Sequence, residues 1–525
     1  MKKIFALILV VLMLVPFVAS CTQPNDTDTN STPAASDTNK DTSNTNSDTN
    51  QGSDKPADPN KKDVAEAMAD YKGETINIMA APWTNGEAGY PWSQVELCVT
   101  EWDQNGKGWG KKINNAVMER QEEIEETYEV TLKWIDVKGN GSMLNRLVEA
   151  ARNKGLEQGS EIIHVALPHT YEAMEIVVQD ALYTMGSDYI NFDASYFSQE
   201  SVENFTLAGN TFFAGGDVSL LDEQASYVLF FNNAIAEEFS GFPDLYQAVI
   251  DGTWTIDMLY DLAGEVSENK DDKPDEYTDD DKYGLGTSQI DVYYQYFGVY
   301  QVGKGKNSSN QDVFILTIEN EKVQTIIDKM LFAMNNPSSI RTSWGGYGPM
   351  EAAFKDDRLL FYHEVTQKVF SFDNELKVGL LPFPKLTTDQ DSYHVPFASQ
   401  STVICIPRAT TDRVLSECMV EILAKTGGEY VMPAYIETIA DCLHVAYKED
   451  SLRVLKEEIF PNLMYDIGFM KGRYGGDGAG LITSSVQSES IAGNTNNFAL
   501  ALSQGRTTAE DTLAYWSQAY NVYMD

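Results

Sequence analysis

The chain has 525 residues, with 79 Asp and Glu against 38 Lys and Arg, and a formal charge of −41. That length accommodates two or three domains of ordinary size, and the charge balance repels nucleic-acid phosphates, so no nucleic-acid partner is expected. A content of 42% hydrophobic and 11% aromatic residues excludes a disordered protein, and five cysteines cannot make a disulfide scaffold.

Lys2 and Lys3 precede an uncharged apolar run from Ile4 to Val15, cut short by Pro16. That is the layout of a secretory signal rather than of a spanning helix. Ala19 and Ser20 then lead into Cys21, and Val18-Ala19-Ser20-Cys21 resembles the lipobox of bacterial lipoproteins. The resemblance implies a leader over residues 1–20 and a lipid-modified Cys21 that anchors the protein to a membrane. From Thr22 to Asp70 there is no aromatic residue, Leu or Ile. Such a segment buries too little apolar surface to offset chain entropy, so residues 21–70 are expected to form a disordered tether. The work is then done just outside a membrane, on the outer face of a Gram-positive-type cell.

The body, expected from Tyr71, alternates strand and helix patterns. Thr75 to Met79 is β-like, Ile113, Val117, Ile124 and Tyr128 share a helical face, and Val130, Leu132 and Trp134 alternate as a strand. Ser142 opens a helix striped by Met143, Leu144, Leu147 and Val148. Ile162 to Leu167 is strand-like again, and Thr170 to Gln179 is helical. A second set begins with the apolar strand Tyr227 to Phe231. Thr255 caps a helix carrying Met258, Leu259 and Leu262, and Val323 to Met334 is amphipathic. Leu359 to Tyr362, Val378 to Leu381 and Thr402 to Ile406 read as strands, and the last hundred residues are mostly helical. Alternation of this kind predicts mainly parallel sheets flanked by helices.

Four segments together resemble the extracellular solute-binding proteins that deliver sugars to ABC importers. They are Gly215 to Ser219 leading into Phe230 to Glu238; Asp244 to Asp257 with Gly252-Thr253-Trp254; Ala353 to Phe361 followed by Val378 to Lys385; and Pro461 to Gly468, which looks like a segment of clostridial members. The resemblance implies an α/β, two-lobed periplasmic-binding-protein fold of type II-like form, with a helical C-terminal region. Lobe one would be residues 71–224 and 377–430, and lobe two 225–376 and 431–525. Ligand would sit in the cleft, and hinge closure would signal to the permease subunits. A monomer is expected.

A sugar offers apolar faces and a rim of hydroxyls, so a cleft for it wants aromatic platforms and hydrogen-bonding side chains. Trp83 and Trp92, in a Gly/Pro-rich loop after the first strand, and Trp344, among glycines, are candidate platforms. Packing of each loop on its own lobe is the competing reading. Asp217 follows two glycines before the presumed first crossing and suits two sugar hydroxyls, or else an Asx turn. Glu223 lies just beyond it, and Glu364 stands at a strand end. Ser399, with Gln400, precedes the returning strand, and Trp254 opens a helix, where core packing competes with ligand contact.

No HExxH, GxSxG or P-loop occurs, and His164, His169, His363, His394 and His444 make no recognised metal spacing. Neither cofactor nor metal is expected. The acidic stretch Asp271, Asp272, Asp275, Asp279, Asp280 and Asp281 lacks the EF-hand glycine and reads as a solvated loop, with calcium left open. Cys98, Cys405, Cys418 and Cys442 read as buried small apolar residues, with one disulfide among them left open. A binding protein is the favoured reading over an enzyme. The alternatives are an extracytoplasmic carbohydrate-active enzyme, which needs only two suitably spaced carboxylates, and a bilobed sugar sensor or adhesin.

Overall fold

The computed structural model describes residues 61–80, 111–137, 142–153, 162–270, 278, 280–342, 347–372, 374–470 and 495–522. The first strands are β1 (Thr75–Ala80), β2 (Thr131–Asp136), β3 (Val165–Leu167), β4 (Leu182–Tyr183), β5 (Thr206–Leu207), β6 (Asn210–Thr211) and β7 (Phe213–Ala214). Then come β8 (Tyr227–Asn232), β9 (Tyr283–Thr287), β10 (Val302–Lys306), β11 (Asp312–Leu316), β12 (Ile340–Arg341), β13 (Leu359–Val365), β14 (Val378–Leu381) and β15 (Ile404–Pro407).

One sheet has the order β2-β1-β3-β15-β4, with β7 beside β15, and the other β12-β9-β13-β8-β14. In the first, β1 is parallel to β2 and β3; in the second, β9 is parallel to β12 and β13. Each sheet also takes in one antiparallel strand from the other half of the chain: β15 against β3, and β8 against β13. The direction has a simple cause. Strands of the repeating βα units run toward the junction between the sheets, whereas a strand arriving through the junction must run away from it.

Three chain segments lie side by side at that junction. Ser226 bridges Phe397 in antiparallel fashion, and the Ala398 N–H donates to the Ala225 carbonyl at 3.1 Å. On the other side, Val395 bridges Leu463 in parallel, with Val395 N–H to Asn462 O and Met464 N–H to Val395 O both at 2.9 Å. Two main sheets, flanking helices and a ribbon of joining segments make a two-lobed α/β arrangement.

Local sequence explains most elements. Thr255 caps Ile256–Val266 by accepting from the Met258 N–H at 3.5 Å, and Val323, Ile326, Ile327 and Met330 form the buried stripe of Val323–Asn335. The C-terminal part is helical, with Arg413–Thr426, a π-helical turn at Gly427–Val431, Met432–Cys442, Lys448–Val454 and the long helix Phe498–Val522. Among the described residues no helix is long and apolar enough to cross a membrane.

Two expected boundaries are corrected. Residues 61–70 are folded rather than tether: Asp63 caps the helix Val64–Met68, whose Met68 is buried in the core that also holds Leu415 and Cys418. Met68, with Val64 and Ala67 packed against the same core, sufficed without Leu, Ile or an aromatic. The return to lobe one does not occur at residue 377, because β14 pairs with β8 in the second sheet. The chain re-enters the first sheet only through residues 395–402 and β15.

Candidate functional site

Residues just beyond the C-terminal ends of parallel strands leave the sheet and face outward from it, where ligands are met. In the first sheet, β3 runs into His169 and Thr170, and His169 bridges Thr402 at the start of the returning strand. The Thr170 hydroxyl donates to the Ser399 carbonyl at 2.7 Å, and its N–H donates to the Ser401 carbonyl at 2.9 Å. His169 Nδ1 lies 2.7 Å from the Gln400 carbonyl, which only accepts, so Nδ1 carries the proton. Burial lowers the His169 pKa to about 4, so the ring is neutral, and it stacks on Tyr171 at 5.3 Å.

In the second sheet, β13 runs into Thr366, whose N–H donates to Ser226 O at 2.8 Å. The two hydroxyls stand 2.6 Å apart, and Glu364 Oε1 accepts from the Val365 N–H at 3.0 Å. Both sets of strand ends therefore meet at the joining ribbon.

Ser399 Oγ, Ser401 Oγ, Thr402 Oγ1 and both side-chain amide atoms of Gln224 are buried there with no hydrogen-bond partner in the protein. A buried polar atom left unpaired costs about 1–3 kcal/mol. Several such groups within a few residues of one junction call for a guest with many donors and acceptors. Hydroxyl-rich ligands fit that chemistry, because each hydroxyl both donates and accepts.

A cluster of acids lies against the same ribbon. Asp222 accepts from the Tyr465 hydroxyl, and Glu223 lies next to it, both buried. Burial first, then the neighbouring Asp222 carboxyl, hold Glu223 well above the ordinary carboxyl range. Burial also pushes Asp217 up to about 8 and Glu200 up to about 7. Glu200 Oε1 accepts from the Tyr300 hydroxyl at 2.6 Å and from the Tyr465 N–H at 3.0 Å.

The structure sorts the candidates. Glu223, Glu364 and Ser399 all stand where the strand ends and the ribbon meet. Asp217 packs instead against the π-helical turn, where a Cβ on Gly428 would approach its carboxylate to 2.5 Å. Trp254 is corrected to a core residue. It is fully buried, tilted against Phe361 at 5.8 Å, and its indole N–H is spent on the Pro382 carbonyl at 3.1 Å. Trp83, Trp92, Trp344, Cys21, Cys98 and most of the acidic stretch, residues 271–277 and 279, lie outside the described residues. Cys405, Cys418 and Cys442 carry free thiols, and no group of His, Cys, Asp and Glu able to hold a metal occurs among the described residues.

Gln224, Ser401, Thr402 and His169 escaped the sequence reading. Ser401 and Thr402 adjoin Ser399 before a recognisable strand, so that strand's start was their one available signal. Gln224 had none, because the residues that follow it, Ala225 to Tyr227, meet the segment 396–398 only in the folded chain.

No protein-family model matches the chain, and no curated protein does. Among solved structures it is similar to an ABC substrate-binding protein of Listeria monocytogenes in complex with cycloalternan, at 10% identity and TM-score 0.49, over 84% of this chain and 100% of that one. It is also similar to a cyclic alpha-maltosyl-1,6-maltose binding protein of Arthrobacter globiformis, at 11% identity and TM-score 0.49, over 85% and 98%. A third is the maltose/maltodextrin-binding domain of Bdellovibrio bacteriovorus bound to maltotriose, at 11% identity and TM-score 0.47, over 84% and 100%.

Proposed function

We propose that this protein captures a carbohydrate, an oligosaccharide in particular, between its two lobes and hands it to the permease of an ABC importer. The observation that carries the reading is the set of unpartnered buried hydroxyl and amide atoms on Ser399, Ser401, Thr402 and Gln224. Sugar hydroxyls satisfy such groups, and Glu364 and Glu223 place carboxyl groups beside them. The sequence that continues β1 supplies Trp83 and Trp92 as platforms for the apolar sugar face. In this reading the protein is a monomer held at the outer face of a cell membrane through lipid on Cys21, and it binds without turnover.

Titration calorimetry on residues 61–525 tests it, with a panel of mono- and oligosaccharides that includes maltotriose and cycloalternan. Saturable micromolar binding without release of reducing ends over hours supports the reading. Release of reducing ends would make the protein an enzyme, and silence across the panel would remove sugar from the claim.

A further inference from the structure

The helix Phe498–Val522 touches both halves of the molecule through one short stretch. Toward the first sheet, the buried Tyr520 hydroxyl donates to the Phe205 carbonyl at 3.0 Å, and Asn210 Nδ2–H donates to Tyr520 O at 2.9 Å. Toward the β10–β11 hairpin, which the chain inserts between β9 and β12 of the second sheet, the Phe314 N–H donates to Ser517 Oγ at 2.8 Å. Asn521 Nδ2–H donates to Asp312 O at 2.8 Å; farther back on the helix, Arg506 pairs with Glu319, just after the hairpin, at 2.6 Å. The Tyr520 ring sits between the two, edge-on to Phe212 at 4.9 Å and to Phe314 at 5.3 Å.

The hairpin reaches the first lobe directly as well. Tyr300, just before β10, donates to Glu200, and Lys304 Nζ donates to the Glu203 carbonyl at 2.7 Å. Both acceptors lie on the helix Gln199–Phe205, which leads through β5 and β6 to β7 in the first sheet. The joining segment 462–466 lies against the same node: Tyr465 N–H donates to Glu200, and Asp466 Oδ2 accepts from the Gln301 N–H at 2.8 Å.

We propose that the C-terminal helix and the β10–β11 hairpin form a strap that fastens lobe two to lobe one beside the ribbon and limits how far the lobes open. A hinge alone leaves the lobe angle soft, whereas a cross-brace near its axis adds contacts that opening must break. The strap therefore raises the closed fraction of the sugar-free protein and lowers the cost of closure on ligand. From the proposed function it takes only that the lobes move.

The test is amide hydrogen exchange on the full chain without any sugar, so failure of the carbohydrate reading leaves the result readable. S517A/N521A removes two hydrogen bonds between helix and hairpin, and Y520F removes the one to Phe205. With the strap as proposed, exchange rises about tenfold for S517A/N521A, and severalfold for Y520F, in the joining segments 225–227, 395–398 and 462–465. Faster exchange confined to the hairpin 302–316 and the helix, with the joining segments unchanged, would overturn the proposal. If circular dichroism shows that the double variant has not folded, Y520F alone decides by the same comparison.

Discussion

The Tyr465 hydroxyl donates to the Asp222 carboxylate, tying the third joining segment to the short helix that leads into the first. Asp222 is fully buried, so without this donor its carboxyl loses a partner that water cannot replace. Tyr465→Phe should cost about 1–3 kcal/mol, the usual penalty for leaving a buried acceptor without its donor. Urea unfolding at pH 7 measures it. A variant as stable as the parent would mean that the pair contributes nothing to the junction.

Stability should fall as pH rises from about 6.5 to 8.5. Burial raises Asp466 to about 6, Glu200 to about 7 and Asp217 to about 8. Each therefore binds its proton more tightly in the folded state. Their contribution is complete below the unfolded carboxyl range and is lost as pH climbs through the folded values. The histidines act oppositely. Burial lowers His169 to about 4 and His363 to about 3, so their contribution is complete above the unfolded value near 6.5 and is lost as pH falls toward the folded ones. Above 6.5 the histidine contribution is nearly constant, and Asp217→Asn should flatten the decline. A thermal midpoint that rises between pH 6.5 and 8.5 would sink the account.

Ser399→Ala separates binding from folding. The lost hydroxyl has no partner in the protein, so stability should hold or rise slightly. If a sugar of the panel binds as proposed, its affinity should drop about three- to tenfold, the equivalent of about one hydrogen bond. Calorimetry on parent and variant reads both quantities, and unchanged affinity would remove Ser399 from the site.

Trp254→Ala should do the reverse. It empties a large core volume against Phe361 and leaves the Pro382 carbonyl without its donor, costing about 3–5 kcal/mol. Folded variant protein should keep the parental sugar affinity at low temperature. Weakened affinity with intact stability would return Trp254 to the ligand site.

Local pattern alone carried the elements. The 3.6-residue stripe of Val323 to Met330, the Thr255 cap and the apolar run of β8 all state nearest-neighbour preferences, which a short window of sequence contains in full. The same holds for the α/β class, which follows from the order in which such elements alternate. Tertiary structure decided what depends on distant segments meeting. β14 reads as a strand from its residues, but only pairing with β8 says which sheet it joins. Trp254 and Ser399 are both polar-tipped residues next to a strand or helix start, yet one finds the Pro382 carbonyl and the other finds nothing. Whether a side chain is spent on the fold or left over for a ligand is set by partners more than a hundred residues away in sequence, which no local window contains.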